Sequence, residues 1–267
     1  MKLRIMLAAG VAGGLLLATA ACGSGDGSGP GGGPVPAGGS GTPTGTVTVL
    51  AAASLTGAFT TIGDRFEATH PGTTVTFSFS GSSQLAQQIV AGAPADVFAA
   101  ASPATMKAVT DAGRGAAAPV VFVRNQLVIA VPKGDPKGIR TLADLARPGV
   151  KVALCAEQVP CGAAAAKALD AAGVALTPVT LEQDVKAALS KLRLGEVDAA
   201  LVYRTDARAA AADVDGVEFG ESAGVVNDYP IVALTGAPNP AGAAAFLAFV
   251  QSPEARTVLL DAGFQQP

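Results

Sequence analysis

The side chains able to do chemistry are few in this chain, and the most informative are hydroxyls. Ser54 stands at the joint of "VTVLAAASLTGAF", where an apolar, β-branched run passes into a run with helical spacing. A second joint, "FSGSSQLAQQI", carries Ser82 and Ser83 behind Gly81. A helix start offers unpaired N–H groups and a partial positive charge. A hydroxyl there has two uses: it caps the helix, or it joins the amides in facing an anion. On its own, Ser54 reads more readily as a cap. Two such joints favour an anion site, because a single cap leaves the second hydroxyl of the Ser82-Ser83 pair unexplained and Gly81 lets backbone approach closely.

The elements that must position these groups alternate along the chain. Runs at 47–50, 75–79, 96–100, 127–131, 150–154, 199–203 and 231–234 read as strands. Between and after them, 55–68, 83–91, 104–112, 163–172, 184–194, 242–251 and 253–262 read as helices, many closed by glycine. Such alternation predicts an α/β fold with a largely parallel sheet, whose ligands bind where strands end and helices begin. Pro71-Gly72, Pro148-Gly149 and Pro132 with Gly134 mark turns.

Composition narrows the function. Hydrophobic residues make up 49% of the 267 and charged residues 15%, which suits a folded globular body. A net charge of −3 without a Lys/Arg cluster argues against nucleic acid, and with no Trp and two Tyr there are few stacking platforms. An enzyme is the rival class. A hydrolase needs a nucleophile, a base and an orienter, yet His70 is the sole imidazole and sits in a "THPG" turn. Neither a phosphate-binding G-x-x-x-x-G-K-[ST] nor a zinc-binding H-E-x-x-H occurs. Zinc is disfavoured at Cys155 and Cys161 as well, for want of further nitrogen or sulfur ligands nearby.

The N-terminus reads as an address. Lys2 and Arg4 precede an apolar run, so 1–21 has the layout of a signal peptide. The run ends in "LATAAC", which resembles a bacterial lipobox and makes Cys22 the candidate lipidation site; Thr19 departs from the usual leucine. Residues 22–45 are nearly all Gly, Ser, Pro and Thr, the composition of a flexible tether. Gly27, Gly29 and Gly32 match G-x-G-x-x-G there, but without a strand before or a helix after them the match is chance.

Four stretches in order carry a resemblance: "AAASLTGAF", "FSGSSQLAQQIVAGAPADVFAAAS", "VPCGAAAAKAL" and "EQDVKAALSKLRLGEVDAALVYRTDA". Together they resemble the molybdate-binding proteins of bacterial molybdate ABC transporters. The resemblance implies an α/β, two-lobed type II periplasmic-binding-protein fold, each lobe a mixed, mostly parallel sheet flanked by helices, with a cleft between. It implies lobe I at 46–126 plus 226–267, lobe II at 127–225, and crossovers near 124–127 and 226–229. It places the family's binding positions on Ser54, Ser82, Cys161, Val185 and Tyr203, with Ser83 as a possible addition. Cys161 is a departure from the family's alanine, at a position that contributes its backbone N–H.

The implied ligand is molybdate, with tungstate expected too, and no cofactor. A fully deprotonated tetrahedral dianion needs donors only, which hydroxyls and helix-start amides supply. Hydrogen phosphate keeps a proton that an all-donor site leaves unpaired. Sulfate differs in size alone, so a receptor for sulfate or another oxyanion is the alternative. The implied partner is the membrane permease of an ABC transporter, and the implied setting is extracytoplasmic, as a monomer anchored to the membrane by lipid. In that oxidising setting a Cys155–Cys161 disulfide would pin the turn that carries the Cys161 amide; two buried free thiols are the alternative.

Overall fold

A computed structural model gives the structure of residues 43–267. The expected signal peptide 1–21, Cys22 and nearly all of the tether 22–45 lie outside the described residues.

In chain order the strands are β1 (Gly45–Ala52), β2 (Thr73–Ser80), β3 (Val97–Ala99), β4 (Val120–Asn125), β5 (Leu127–Pro132), β6 (Val152–Cys155), β7 (Thr180–Glu182), β8 (Ala199–Tyr203), β9 (Val214–Val217) and β10 (Asn227–Ala233). The helices are α1 (Thr56–Thr69), α2 (Ser82–Val90), α3 (Pro103–Asp111), α4 (Leu142–Leu145), α5 (Pro160–Ala172), α6 (Val185–Arg193), α7 (Arg204–Ala209), α8 (Pro240–Val250) and α9 (Pro253–Asp261).

Two five-stranded sheets result, ordered β2-β1-β3-β10-β4 and β7-β6-β8-β5-β9. In the first, β2, β1 and β3 are parallel, and β10 enters antiparallel to both β3 and β4, so four strands run one way and one is reversed. The second repeats the plan with β5 as the reversed strand. The mixed, mostly parallel sheets and flanking helices agree with the fold class expected from the sequence. Both reversed strands are the first to follow a passage from one sheet to the other: β5 comes directly after β4, and β10 after β9.

The central strands are apolar on both faces because helices cover both, as parallel sheets require. Val47, Val49, Leu127, Ile129, Leu201 and Val202 are at most 1% exposed. Over the first sheet, Phe59, Phe66, Phe77 and Phe246 meet edge to face or tilted, with centroids 5.4–6.1 Å apart. Glycine allows close approach where α8 crosses β1: a Cβ on Gly242 would lie 2.5 Å from Val47 Cγ2. No helix of the described residues is long and apolar enough to cross a membrane.

Candidate functional site

Three strands of each sheet end at one shared space. From the first sheet, β1 runs into a 3-10 turn (Ala53–Leu55) that carries Ser54, β2 runs through Gly81 into α2, whose first residue is Ser82, and β3 ends shortly before Ala101. From the second, β6 leads to Val159, Pro160 and Cys161, β7 leads to Asp184 and Val185, and β8 ends on Tyr203. These residues line a cavity of about 20 Å³, a little more than one water requires. The space suits a compact ion. Ser54, Ser82, Cys161, Val185 and Tyr203, singled out from the sequence, all line it and are all buried.

Its electrostatics come from backbone. No lysine or arginine lines the cavity, but α2, α5 and α6 all begin at it. Their first amides, those of Cys161 and Val185 included, have no acceptor within the helix, and each start carries partial positive charge. Asp184 also reaches the wall, but its carboxylate caps α6 by accepting from the Ala187 N–H at 2.9 Å.

Neither cavity serine caps its helix. Ser54 Oγ lies 2.8 Å from Tyr229 Oη, and Ser82 Oγ accepts from the Ala101 N–H at 3.0 Å. The capping role that Ser54 suggests when read alone is therefore corrected. Tyr203 Oη accepts from Asn227 Nδ2 at 3.0 Å. Burial pushes the phenols of Tyr203 and Tyr229 well above their ordinary range, so both remain O–H donors.

Ser83 does not line the cavity. Neighbours on a helix point about 100° apart, so Ser82 faces in while Ser83 turns away and donates to the Gln158 carbonyl at 2.6 Å. That bond links α2 to the segment before α5. A second close approach between the elements of the two sheets is at Gly81, where a Cβ would sit 2.2 Å from the Gln183 carbonyl oxygen.

Cys155 and Cys161 are joined by a disulfide with Cα atoms 5.7 Å apart, which ties the end of β6 to the first turn of α5. Gly162 completes the turn, since a Cβ there would lie 2.0 Å from the Ala156 oxygen. On the far side of α6, Lys186 Nζ is 3.0 Å from Oδ1 of the wholly buried Asp206 on α7. Burial raises the Asp206 pKa, against the opposing pull of Lys186. This pair holds the start of α6 beside the start of α7.

Other reactive residues lie apart. His70 is at the C-terminal end of α1, opposite the end near Ser54, and its ring stacks on Phe66 at 4.1 Å. Residues 220–224, "GESAG", fit the G-x-S-x-G pattern of hydrolase nucleophiles. Ser222 is nevertheless fully buried in a 3-10 turn, donating to the Phe219 carbonyl and accepting from Gln126 Nε2, each at 2.6 Å. It is a structural serine. Among the described residues no group of three His, Cys, Asp or Glu could hold a metal ion.

Reading the sequence for function missed Tyr229, Asn125 and Asn227, which stand directly behind the cavity hydroxyls. A signal was present: the chain has only two tyrosines, and all three residues fall within the expected crossovers.

A cleft between two α/β sheets, closed over a donor-lined space of ionic size, is the architecture of a solute-binding protein. The chain belongs to that class: residues 47–265 match the model of the bacterial extracellular solute-binding protein family. The family is one of binding proteins and not of enzymes. The chain is 47% identical over 217 residues to the molybdate-binding protein ModA of Mycobacterium tuberculosis, covering 81% of this chain and 83% of the relative. It is 32% identical over 224 residues to the Escherichia coli molybdate-binding protein ModA, covering 80% and 86%. In fold it is similar to the periplasmic molybdate-binding protein of Azotobacter vinelandii, with a TM-score of 0.73 and 21% identity over 83% of this chain and 99% of that one.

Proposed function

We propose that this protein is an extracytoplasmic receptor that captures molybdate, and tungstate as a second ligand, for delivery to the membrane permease of an ABC importer. The observation that carries this reading is the cavity: hydroxyls of Ser54, Ser82 and Tyr203 together with amides at the starts of α5 and α6, and no cationic side chain. A tetrahedral oxyanion dianion takes up many donors and presents no proton of its own. The names of the relatives above supply the metal. Cys161 contributes its N–H as second residue of α5, so a cysteine side chain there is compatible with binding, with the disulfide holding the turn.

In this reading 46–126 with 226–267 and 127–225 move as two lobes about the crossovers, and closure removes water from the ion and strengthens every contact to it. The receptor acts as a monomer held to the membrane by lipid on Cys22, with 22–45 as the leash. Release of the protein from the membrane fraction by Cys22→Ala is the expected outcome; a wild type already soluble would remove the anchor from the proposal.

Calorimetric titration with molybdate, tungstate, sulfate and phosphate tests the ligand directly, and preference for sulfate would favour the alternative receptor. Ser54→Ala and Tyr203→Phe should each weaken molybdate binding by about 1.5–3 kcal/mol, the range for a hydrogen bond to a charged partner. A double variant that binds as the wild type does would mean that the anion sits elsewhere.

A further inference from the structure

A hydroxyl has one proton, and a hydroxyl that accepts a hydrogen bond from behind keeps that proton for what lies in front. Ser82 is in this position through the Ala101 N–H. For Tyr203 and Ser54 the group behind is a side chain, and its orientation is fixed by further partners.

Asn227, first residue of β10, directs its NH₂ group to the Ala101 carbonyl at 2.8 Å and to Tyr203 Oη at 3.0 Å. A carbonyl accepts only, so the amide cannot be turned over, and Tyr203 Oη accepts a hydrogen bond from Asn227. Its own O–H is left for the cavity. Asn125, last residue of β4, is fixed in the same way. Its Oδ1 accepts from the Gln126 N–H at 3.0 Å, so Nδ2 faces Thr205 Oγ1 at 2.9 Å and Tyr229 Oη at 3.4 Å. Tyr229 Oη accepts from Asn125 and lies 2.8 Å from Ser54 Oγ, a pair in which either hydroxyl can donate. With the phenol as the donor, the Ser54 proton is left for the cavity. None of Asn125, Asn227 and Tyr229 lines the cavity, and all three are buried.

We propose that Asn125, Tyr229 and Asn227 are positioning residues that fix the direction of the hydroxyl protons of Ser54 and Tyr203, and that this ordering makes the site reject anions still carrying a proton. A freely rotating serine can turn its oxygen toward hydrogen phosphate and accept from it. A serine that already accepts from Tyr229 meets that proton with its own. Both asparagines sit at the passages between the sheets, so the ordering is built where the two halves of the site join.

The inference rests on the proposed oxyanion reading and is separable from it. Wild type, Tyr229→Phe and Asn227→Leu are titrated with molybdate, and with inorganic phosphate at a pH where hydrogen phosphate predominates. Tyr229→Phe removes the donor behind Ser54 without adding charge or altering the cavity wall. The ratio of the phosphate Kd to the molybdate Kd should fall by roughly tenfold or more, the value of one hydrogen bond to a charged group. A purely structural role would weaken both anions alike and leave the ratio where it was. Should Tyr229→Phe fail to fold, Asn227→Leu reads the same ratio through Tyr203. An unchanged ratio in a folded variant overturns the inference alone. A wild type that binds no oxyanion overturns the functional reading and the inference together.

Discussion

Replacing Gly81 with alanine should weaken ligand binding while leaving the unliganded protein as stable as before. Gly81 has φ −57° and ψ 129°, a conformation that alanine adopts freely, so the first sheet and α2 lose nothing locally. The new Cβ would lie 2.2 Å from the Gln183 oxygen, against an ordinary contact of at least 3.4 Å, so the facing backbone must withdraw by about 1.2 Å. Gln183 and Asp184 lead directly into α6, and the withdrawal carries the Val185 amide away from the cavity. In the proposed two-lobe motion the clash arises only while the two sides of the cleft are together, and opening relieves it. Overpacking of this kind costs about 1–3 kcal/mol, which is roughly a 5- to 150-fold rise in Kd. Calorimetry gives that Kd, and melting curves with and without molybdate separate the two states. The melting temperature without ligand should hold, and the gain on adding molybdate should shrink. A Kd within about twofold of the wild type would show that the Gly81–Gln183 approach does not govern binding.

Asp206 predicts a pH effect. Its carboxyl is raised above the ordinary 3.8 by burial, so folding takes up protons, and its contribution is fully present below the unfolded pKa and lost as pH rises through the folded one. Urea denaturation across that range should show wild-type stability declining relative to Asp206→Asn, and parallel curves would refute this. Gly162→Ala should destabilise the protein by about 1–3 kcal/mol or more, because the Cβ meets the carbonyls of Ala156 and Cys155, both backbone; an unchanged denaturation midpoint would contradict it. Reducing Cys155–Cys161 should lower the melting temperature and weaken molybdate binding slightly. With a sequence separation of 6, the loss should fall at or below the lower end of the usual ~2–4 kcal/mol, and a melt indifferent to reductant would oppose it.

The amphipathic helices and the central strands were legible in the sequence, as was the edge strand β2 at 75–79, whereas the other edge strands were not. The run at 127–131 and the run at 199–203 coincide with β5 and β8, the middle of the second sheet. β4, β7 and β9 close sheet edges; β7 and β9 carry no apolar run, β9 even containing Asp215 and Gly216, whereas the run at 120–123 in β4 was present and passed over. The four-residue α4 and six-residue α7 are too short to show a helical period. α5 starts at Pro160 rather than at 163, since proline without an N–H fits the first turn of a helix. At the site, the strand-to-helix joints pointed to Ser54 and Ser82. The resemblance supplied Cys161, Val185 and Tyr203, which spacing could not bring together from across the chain. The direction of a side chain was out of reach: nothing in "GSSQL" says that Ser82 faces the cavity and Ser83 turns away from it.

The order of strands has a consequence for the sequence of events in folding. The second sheet is drawn from a continuous stretch, 127–217, and every one of its strands finds its neighbour within it. The first sheet is different: among the strands β4 pairs only with β10, apart from a single bridge from Arg124 to Gln265, and β10 also supplies the second neighbour of β3. Closing so long a loop carries a large entropic penalty before any contact rewards it. A nascent chain that has not yet produced residues 227–233 can finish one half of the molecule and must leave a gap in the other. β10 is thus the insertion that completes the first half, and it brings Asn227 and Tyr229 with it. Two of the residues proposed to order the cavity hydroxyls arrive on the strand that closes the first sheet, before α8 and α9 are there to cover it.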